Sequence, residues 1–493
     1  MEKKLFDDDL ISMQQARQLS ASAKAAYDLF STSSQEKTDK VVEAMALAGI
    51  RESERLARLA VEETGYGNVE DKTVKNLFAS RNVYESIKDL KTAGVISRDN
   101  IKKIIEIAHP MGVVAAVTPT TNPTSTIIFK ALISVKARNA IVFAPHPRAV
   151  GCSFEAARVM AQAAVSAGAP EGLVSCMDTL TLEGTKELMS SKNVAIILAT
   201  GGPAMVKAAH SYGKPALGVG PGNTPVYVDK SADIEKAARD IIISKSFDNG
   251  VICASEEAVI VHRDADAELR KMMIKHGAYF LNESEIEKAG KILIRGNSMN
   301  PEMVGKSVQV IADVAGIQVP AGTRLLVGEI AGVGPQYPLS REILSPIVAY
   351  YIAKDWEDGC ERCLELINFG GIGHTMVIHS MDEDVITEFA HKKPVFRFLI
   401  NTPASQGAVG ITTSLDPSLT LSTGAWGGGI SSDNISAYHL MNIKRVAYET
   451  KPINPAGPAA FNSSSGNYSG DATKNLLEDV VTKVIENLYL NRT

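Results

Sequence analysis

The sequence has little cysteine, little tryptophan and no strong excess of charge of either sign. Its 493 residues include five cysteines and two tryptophans, and the net charge is −5 at pH 7. A sparse, odd-numbered set of cysteines predicts free thiols in a reducing compartment, so we expect a cytoplasmic protein. The weak negative charge argues against a nucleic-acid-binding surface.

Long apolar runs are also missing. No uninterrupted apolar stretch approaches the roughly 20 residues of a membrane-spanning helix, so we expect no membrane span. The start, Met1-Glu-Lys-Lys-Leu-Phe-Asp-Asp-Asp9, lacks the apolar core of a secretion signal. Apolar residues still make up 45% of the chain and charged residues 22%, which is typical of a globular protein with sizeable cores.

Apolar periodicity indicates the fold class. After helical patterns up to about residue 90, short β-branched runs alternate with helical segments, which predicts a parallel, doubly wound α/β sheet. Ligands of such sheets lie at the carboxyl ends of the strands. A second α/β pattern begins with a helix predicted from about Ser231 to Cys253. The predicted strands are residues 113–117, 140–143, 194–198, 226–228, 257–262, 347–352, 374–379 and 396–400.

Cys253 lies between a turn and a strand. It follows Asn249-Gly250 and precedes the apolar run Ala258-Val-Ile-Val261, so its thiol can be held rigidly while the sulfur faces a cleft. Thiolate is the strongest nucleophile among unmodified side chains near neutral pH. A lone cysteine can equally be a small buried hydrophobe, and this stretch alone leaves both interpretations open.

Two glycine-dense loops are candidate ligand sites. Thr200-Gly-Gly-Pro203 opens a helix after a strand, and backbone N–H groups of such a glycine pair can approach a pyrophosphate. Glycine pairs also form plain turns, so this signal is weak by itself. Gly218-Val-Gly-Pro-Gly-Asn-Thr-Pro225 precedes the strand at 226–228.

Six sequence motifs, named below in chain order, resemble those of one known family. The likeness runs from about residue 10 to about residue 447, and it is to the CoA-acylating branch of the aldehyde dehydrogenase superfamily, above all to the aldehyde dehydrogenase half of bifunctional aldehyde–alcohol dehydrogenases. The motifs are Thr118-Pro-Thr-Thr-Asn-Pro-Thr-Ser, Ala144-Pro-His-Pro-Arg-Ala, Leu198-Ala-Thr-Gly-Gly-Pro, Pro221-Gly-Asn-Thr-Pro, Phe247-Asp-Asn-Gly-Val-Ile-Cys-Ala-Ser-Glu and Gly370-Gly-Ile-Gly-His-Thr.

The resemblance implies an aldehyde dehydrogenase-like α/β fold with two doubly wound α/β domains and a small oligomerisation strand element. A homodimer or homotetramer is expected. The implied parts are a nicotinamide dinucleotide-binding domain with N-terminal helices at 1–230, a catalytic domain at 231–440 and an oligomerisation strand at 441–450. Composition and apolar periodicity, beyond the resemblance, predict a flexible linker at 451–470 and an amphipathic terminal helix at 471–493.

The implied reaction is the reversible, NAD-dependent oxidation of a short-chain aldehyde to an acyl-CoA through a cysteine thioester. Acetaldehyde, propionaldehyde and sulfoacetaldehyde are the candidate substrates, and coenzyme A is the co-substrate. Hydrolytic relatives carry a glutamate that activates water where this chain has Val219-Gly-Pro-Gly-Asn223, and that absence favours acyl transfer to CoA. A hydrolytic dehydrogenase that gives the free acid and a non-catalytic structural remnant are the alternatives.

The resemblance also implies roles for particular residues. Cys253 is the nucleophile, and its backbone N–H and the Asn122 amide are the oxyanion donors, with Thr121 as the alternative to Asn122. His374 acts as base for the CoA thiol, positions the substrate or is a structural histidine. No metal is expected. The NAD-binding residues are Thr118, Pro119, His146, Gly201, Gly202, Gly220 and Glu342.

Two further expectations concern the pocket and the terminus. The segment 408–429 is predicted to line the aldehyde pocket with Thr412, Thr413, Ser414 and Trp426. The terminal helix at 471–493 has one apolar stripe and follows a Pro/Gly/Ser-rich linker, which resembles the encapsulation peptides of bacterial microcompartments. It would bind a shell protein and place the enzyme inside such a compartment, or instead pack on the enzyme or a neighbouring subunit.

Overall fold

The computed structural model describes residues 7–296 and 298–451. Contacts divide the described residues into a large unit, which comprises those at 7–96 and 106–444, and a small unit at 97–105 and 445–451. The predicted linker from residue 452 on, and all of the predicted helix at 471–493, lie outside the described residues. Among the helices that are described, none combines the length and apolarity needed to cross a bilayer.

Sixteen α-helices are described in these ranges. They are α1 Asp8–Phe30, α2 Gln35–Arg51, α3 Ser53–Thr64, α4 Val69–Leu77, α5 Val83–Ile87, α6 Pro123–Lys136, α7 Val150–Ser166, α8 Leu182–Ser190, α9 Pro203–His210, α10 Ile234–Ser246, α11 Arg263–Lys275, α12 Glu283–Leu293, α13 Val308–Ala315, α14 Trp356–Phe369, α15 Glu383–Lys392 and α16 Ala404–Ala408.

The strands of the same ranges form four sheets. They are β1 Gly94–Asp99, β2 Ile104–Pro110, β3 Val113–Val117, β4 Ala140–Ala144, β5 Val174–Cys176, β6 Val194–Thr200, β7 Ala216–Val219, β8 Thr224–Val228, β9 Glu256–His262, β10 Ala278–Leu281, β11 Ile294–Arg295, β12 Ser298–Met299, β13 Leu325–Glu329, β14 Ile347–Ala353, β15 Gly373–His379, β16 Val395–Ile400 and β17 Met441–Ala447.

Two large parallel sheets confirm the predicted fold class. The first has the order β5-β4-β3-β6-β7 and the second the order β10-β13-β14-β9-β8-β15-β16. A three-stranded sheet has the order β1-β2-β17, and β11 pairs with β12. Membership changes from the first large sheet to the second between β7 and β8, whereas the sequence places its domain boundary at 230.

The first sheet has a topological switch point between β3 and β6. The chain runs outward through β3, β4 and β5 on one side of this point and through β6 and β7 on the other. Crevices for ligands form at such points, at the carboxyl ends of the strands. Lys130 of α6 donates from Nζ to the carbonyl oxygens of Val117 and Leu198, near the ends of β3 and β6, at 2.8 and 2.9 Å, and so ties the two sides of the crevice together.

Helix α6 provides a rigid support for the loop that precedes it. All 14 of its residues are buried, as are all residues of the neighbouring strands β3 and β4. A helix that is apolar on every side packs inside a domain rather than on its surface. The helix begins with Pro123 directly after its N-cap residue, Asn122, so the position of Asn122 is fixed by the core.

The predicted helix from Ser231 to Cys253 is wrong in its length. Helix α10 ends at Ser246, and Phe247–Gly250 forms a short irregular turn. Asp248, Asn249 and Gly250 have φ angles of 48°, 53° and 75°. Three consecutive left-handed residues cannot belong to a right-handed helix, so the chain reverses its path before it reaches Cys253.

Candidate active site

One cavity of about 310 Å³ brings together loops from both large sheets. The first sheet contributes the loops at the carboxyl ends of its strands, and the second contributes the segments that precede β8, β9 and β14. Eight of the ten residues predicted for the site lie in its lining: Pro119, Asn122, His146, Gly201, Gly202, Gly220, Cys253 and Glu342. Thr118 and His374 do not.

Cys253 is placed by its backbone. A Cβ atom at Gly250 would lie 2.8 Å from the carbonyl carbon and oxygen of Ser345, so the turn before Cys253 packs directly on a neighbouring main chain. A Cβ atom at Gly222 would lie 2.0 Å from the carbonyl oxygen of Cys253. Glycine is therefore required at 222 and at 250, which both pack closely around the Cys253 segment, for steric reasons. The thiol itself is half-buried.

The Cys253 thiol is protonated at neutral pH in this state of the protein. Burial in the cavity wall is the main cause that raises its pKa to about 12, and the negative charge of Glu342 adds to it, while the positive charge of Arg397 opposes the rise. Thiolate rather than thiol is the nucleophile. Ionisation of this sulfur therefore requires a change in its surroundings, such as the arrival of positive charge in the cavity.

Asn122 presents its side chain to the same cavity. It occupies the N-cap position of α6, but its side chain makes no capping hydrogen bond. Its Oδ1 atom instead accepts from Lys75 Nζ at 2.5 Å, and its Nδ2 atom donates to the hydroxyl of Thr121 at 3.1 Å. Thr121, the alternative oxyanion donor, also lines the cavity but is the acceptor of this contact.

Glu342 is the only carboxylate in the lining formed by the described residues. Its Oε1 atom accepts from the backbone nitrogen of Gly222 at 2.8 Å. Burial raises its pKa to about 7, while the Gly222 N–H and the positive charge of Lys245 oppose the rise. The segment 219–223 has no carboxylate of its own, as predicted from the sequence, but Glu342 reaches it from the loop before β14.

His374 is fully buried at the start of β15, outside the lining. Its Nδ1 atom lies 2.9 Å from Thr375 Oγ1. Burial and then the positive charge of Arg397 lower its pKa to about 3. A histidine with so low a pKa is neutral at pH 7 and is a weak base, so this geometry favours a positioning or structural role over proton abstraction from CoA.

The opposite end of the cavity fits a dinucleotide. Helix α9 has Gly202 as an N-cap without a side-chain hydrogen bond, and open space surrounds the Cβ positions of Gly202 and Gly220. The Thr200 hydroxyl is buried without a partner among the described residues and lines the cavity. Free N–H groups at a helix N-terminus and an unsatisfied hydroxyl suit a pyrophosphate. Thr118 is buried behind this surface, and its N–H donates to Ala144 at 3.3 Å.

The residues that the segment 408–429 contributes to the cavity lining are apolar rather than polar. From the segment 408–429, only Val409, Leu419 and Leu421 line the cavity. The prediction of Thr412, Thr413, Ser414 and Trp426 as lining residues is therefore wrong. Trp426 stacks on Phe396 instead, with ring centroids 4.7 Å apart, and Thr412 bonds the hydroxyl of Thr402 at 2.6 Å. The apolar wall of the cavity is completed by Tyr66, Val251, Ile252, Val304 and Leu344.

Sequence reasoning missed the contribution of residues 64–75. The break at Gly65-Tyr66-Gly67 was visible as the end of a helix, but nothing in it indicates that Tyr66 lines a cavity. Lys72 and Lys75 have the three-residue spacing of one helix face, which is the signal that could have been used. Their buried partners are distant in the sequence, so the sequence alone does not reveal them.

Comparison with known proteins gives consistent matches. The profile of the aldehyde dehydrogenase family matches residues 9–412. Over 429 residues the chain is 45% identical to the bifunctional aldehyde-alcohol dehydrogenase of Escherichia coli (strain K12), an alignment that covers 86% of this chain and 48% of that protein. The chain thus spans about half the length of the first curated relatives that it matches.

Solved structures agree along nearly the whole fold. An acetylating aldehyde dehydrogenase from Geobacillus thermoglucosidasius has a TM-score of 0.90 and 52% identity, covering 91% of this chain and 100% of that one. A propionaldehyde dehydrogenase from the fucose utilisation microcompartment of Clostridium phytofermentans has a TM-score of 0.81 and 31% identity, covering 89% of this chain and 98% of that one.

Proposed function

The chain belongs to the aldehyde dehydrogenase family, and on this premise we propose that it oxidises a short, apolar aldehyde to its acyl-CoA with NAD⁺ as hydride acceptor. One observation carries the proposal: the Cys253 thiol and the Asn122 amide line one cavity with the glycine loop at 201–202. The first two residues suit attack on a carbonyl group and the loop suits a dinucleotide.

Cys253 supplies the covalent chemistry. Once the thiol has released its proton, its sulfur adds to the aldehyde carbon, and the carbonyl oxygen becomes an oxyanion that the Asn122 amide and the Cys253 backbone N–H stabilise. One such donor typically contributes about 10²–10³ in rate. Gly201 and Gly202 would hold NAD⁺, which would supply the hydride acceptor for that carbon, and an acyl thioester on Cys253 would result. The CoA thiol displaces the cysteine sulfur, so the sum is aldehyde, CoA and NAD⁺ to acyl-CoA, NADH and a proton.

Transfer to CoA rather than to water is supported by the surroundings of the thioester. The loop at 219–223 offers no carboxylate, and the one that reaches it, Glu342, is already bonded to Gly222. The CoA thiol needs little activation, because a few per cent of it is ionised at neutral pH, whereas water depends on a general base. Glu342, one of whose oxygens accepts from Gly222, is the only carboxylate that the described lining offers.

The substrate class follows from the same lining. No lysine or arginine is among the described lining residues, and Arg397, whose charge acts on Cys253, is buried outside the lining. A sulfonate or carboxylate on the aldehyde would be desolvated in the cavity without a partner, which is costly. Acetaldehyde and propionaldehyde are therefore favoured over sulfoacetaldehyde.

An assay with and without CoA tests this function. We expect NADH to form from propionaldehyde in proportion to CoA, and propionyl-CoA to accumulate in equal amount. Cys253→Ser should abolish both while the far-UV circular dichroism stays unchanged. Sustained NADH formation without CoA would favour the hydrolytic alternative, and no turnover with any of the three aldehydes would favour the structural one.

Assembly and location are proposed from the family and from the terminus. The strand β17 is proposed to take part in a homodimer or homotetramer, and residues 471–493 are proposed to bind a microcompartment shell protein. A chain truncated at residue 453 should keep its NADH formation but no longer co-purify with shells. Light scattering of both forms measures the oligomeric state, and loss of activity on truncation with unchanged location would contradict the shell-binding role.

A further inference from the structure

Two lysines of α4 reach into the protein interior beside the cavity. Lys72 and Lys75 are 2% and 4% exposed, and both contact Asp248 Oδ2, Lys72 at 2.9 Å. Lys72 also donates to the carbonyl oxygen of Thr121 at 3.0 Å. Burial lowers the pKa of Lys75 to about 8, while Asp248 opposes the fall, so this lysine remains cationic at neutral pH.

Lys75 fixes which way the Asn122 amide faces. An ammonium group only donates, so the contact of Lys75 Nζ with Oδ1, 2.5 Å long, assigns the carbonyl side of the amide to the lysine. Both N–H donors must then point elsewhere. One donates to the Thr121 hydroxyl, and the amide nitrogen makes no second hydrogen bond to a described residue, while Asn122 lines the cavity. A cation on the amide oxygen also polarises the amide and strengthens its N–H donors.

The same lysine is connected to the turn that carries the nucleophile. Asp248 is the first of the three left-handed residues that lead to Cys253. Its Oδ1 atom accepts from the backbone nitrogen of Asn68 at 2.9 Å, and its own N–H donates to Asp71 Oδ2 at 2.7 Å. Helix α4 and its N-cap residue, Asn68, therefore contact both the Asn122 loop and the turn before Cys253.

We propose that Lys75 is a positioning residue for the reaction, which directs the N–H donors of Asn122 towards the oxyanion. The inference rests on the proposed function, because Asn122 stabilises an oxyanion only if one forms at Cys253. Lys75 itself touches neither the aldehyde nor the cofactor.

Lys75→Met tests the proposal through steady-state kinetics. Loss of amide orientation should lower kcat for NADH formation about 10- to 100-fold, less than complete loss of an oxyanion donor, with the aldehyde KM changed less than about twofold. Alkylation of Cys253 by iodoacetamide forms no oxyanion, so its rate should change less than about twofold. Alkylation slowed as much as kcat would show a general disruption of the site and overturn the proposal.

Lys136→Met is the matched control. Lys136 is also fully buried, and it pairs with Asp39 at 2.6 Å and donates to the carbonyl oxygen of Lys88 at 2.7 Å, but it lies at the far end of α6. Its loss should lower the unfolding midpoint in a similar way and leave kcat within about twofold. A kcat lowered as much as in Lys75→Met would assign both effects to stability and overturn the proposal.

A double-mutant cycle with Asn122→Ala decides whether Lys75 acts through the amide. If it does, Lys75→Met should lower kcat less than about twofold once Asn122 is alanine, because coupled residues are not additive. Fully additive losses would overturn the proposal. Should Lys75→Met not fold, Lys75→Gln takes its place in the cycle under the same criterion. Cys253→Ser with retained NADH formation would refute the proposed function itself, which this cycle does not measure.

Discussion

The Oε1 atom of Glu342 accepts a hydrogen bond of 2.8 Å from the backbone nitrogen of Gly222. The contact joins the loop before β14 to the loop before β8. It also holds a carboxylate of pKa about 7 in the cavity that contains Cys253. Because that charge is the second cause of the raised thiol pKa, Glu342 sets how readily the sulfur ionises.

Glu342→Gln should make the thiol more reactive in the protein without ligands. Removal of the negative charge lowers the pKa of Cys253. Each unit by which this pKa falls raises the thiolate fraction at pH 8 about tenfold. The rate of iodoacetamide alkylation, measured from pH 6 to 10, should increase at every pH where Glu342 is ionised. An unchanged profile would show that the carboxylate does not act on the sulfur.

Gly250→Ala should impair catalysis severely. The residue has φ of 75°, and a Cβ atom would lie 2.8 Å from Ser345 main-chain atoms, so the turn before Cys253 must shift. A displacement of about 1 Å at a reacting atom can cost about 10² in rate, and we expect kcat to fall by at least that factor.

Gly213→Ala is the control for Gly250→Ala. Gly213 has φ of 67° and open space around its Cβ position, so the substitution adds the same type of backbone strain, about 1 kcal/mol, without a clash. Its kcat should stay within about twofold of the parent. Equal losses in the two variants would contradict the steric explanation.

Leu421→Ala should shift the preference towards longer aldehydes. The side chain lines the apolar wall, and one methylene in such a pocket is worth about 1–3 kcal/mol. The ratio of kcat/KM for butanal to that for acetaldehyde should rise about tenfold. Leu399→Ala is the control, because Leu399 belongs to the same core cluster and is equally buried at 3% but lies outside the lining. A similar ratio change there would contradict the assignment.

The sequence predicts well what depends on local patterns. The strands at 257–262, 347–352, 374–379 and 396–400 lie within one residue of β9, β14, β15 and β16, because a buried β-branched run has few other structures open to it. The glycine and proline loops could also be predicted, because these two residues favour turns wherever they cluster.

Long-range contacts were not predictable in this way. Helix α10 ends early because Asp248 is held by residues of α4 and its N-cap region, about 180 positions earlier in the chain. The apolar wall draws Tyr66, Val304 and Leu421 from three distant segments. Polarity along 408–429 predicted polar lining, but Trp426 and Thr412 find partners inside their own region.

Glu256→Gln should change how stability depends on pH. Glu256 is fully buried at the start of β9, accepts from the Ala404 N–H at 2.9 Å, and its Oε2 atom has no partner among the described residues. Burial raises its pKa from 4.5 to about 7. The folded protein therefore keeps a proton that the unfolded chain loses, and this contribution is complete below pH 4.5 and lost as pH rises through 7.

In Glu256→Gln the side chain does not titrate, so the variant does not lose this contribution to stability as the pH rises. Its free energy of unfolding relative to the parent should be about 1–3 kcal/mol higher at pH 8 than at pH 5, as measured by urea denaturation at both values. A difference that is the same at both pH values would contradict the raised pKa. Comparison within each pH cancels the contributions of the other titrating groups.

Because of the left-handed turn at 248–250, the orientation of Cys253 and the shape of the cavity lining depend on different residues. The turn before Cys253 is fixed by main-chain torsions and by α4, whereas the cavity lining takes side chains from 66, 304 and 409–421. Redesign of the acyl side can therefore proceed residue by residue without retuning the reactive sulfur. Laboratory evolution for new aldehydes should accumulate its changes in those side chains and leave 248–250 untouched.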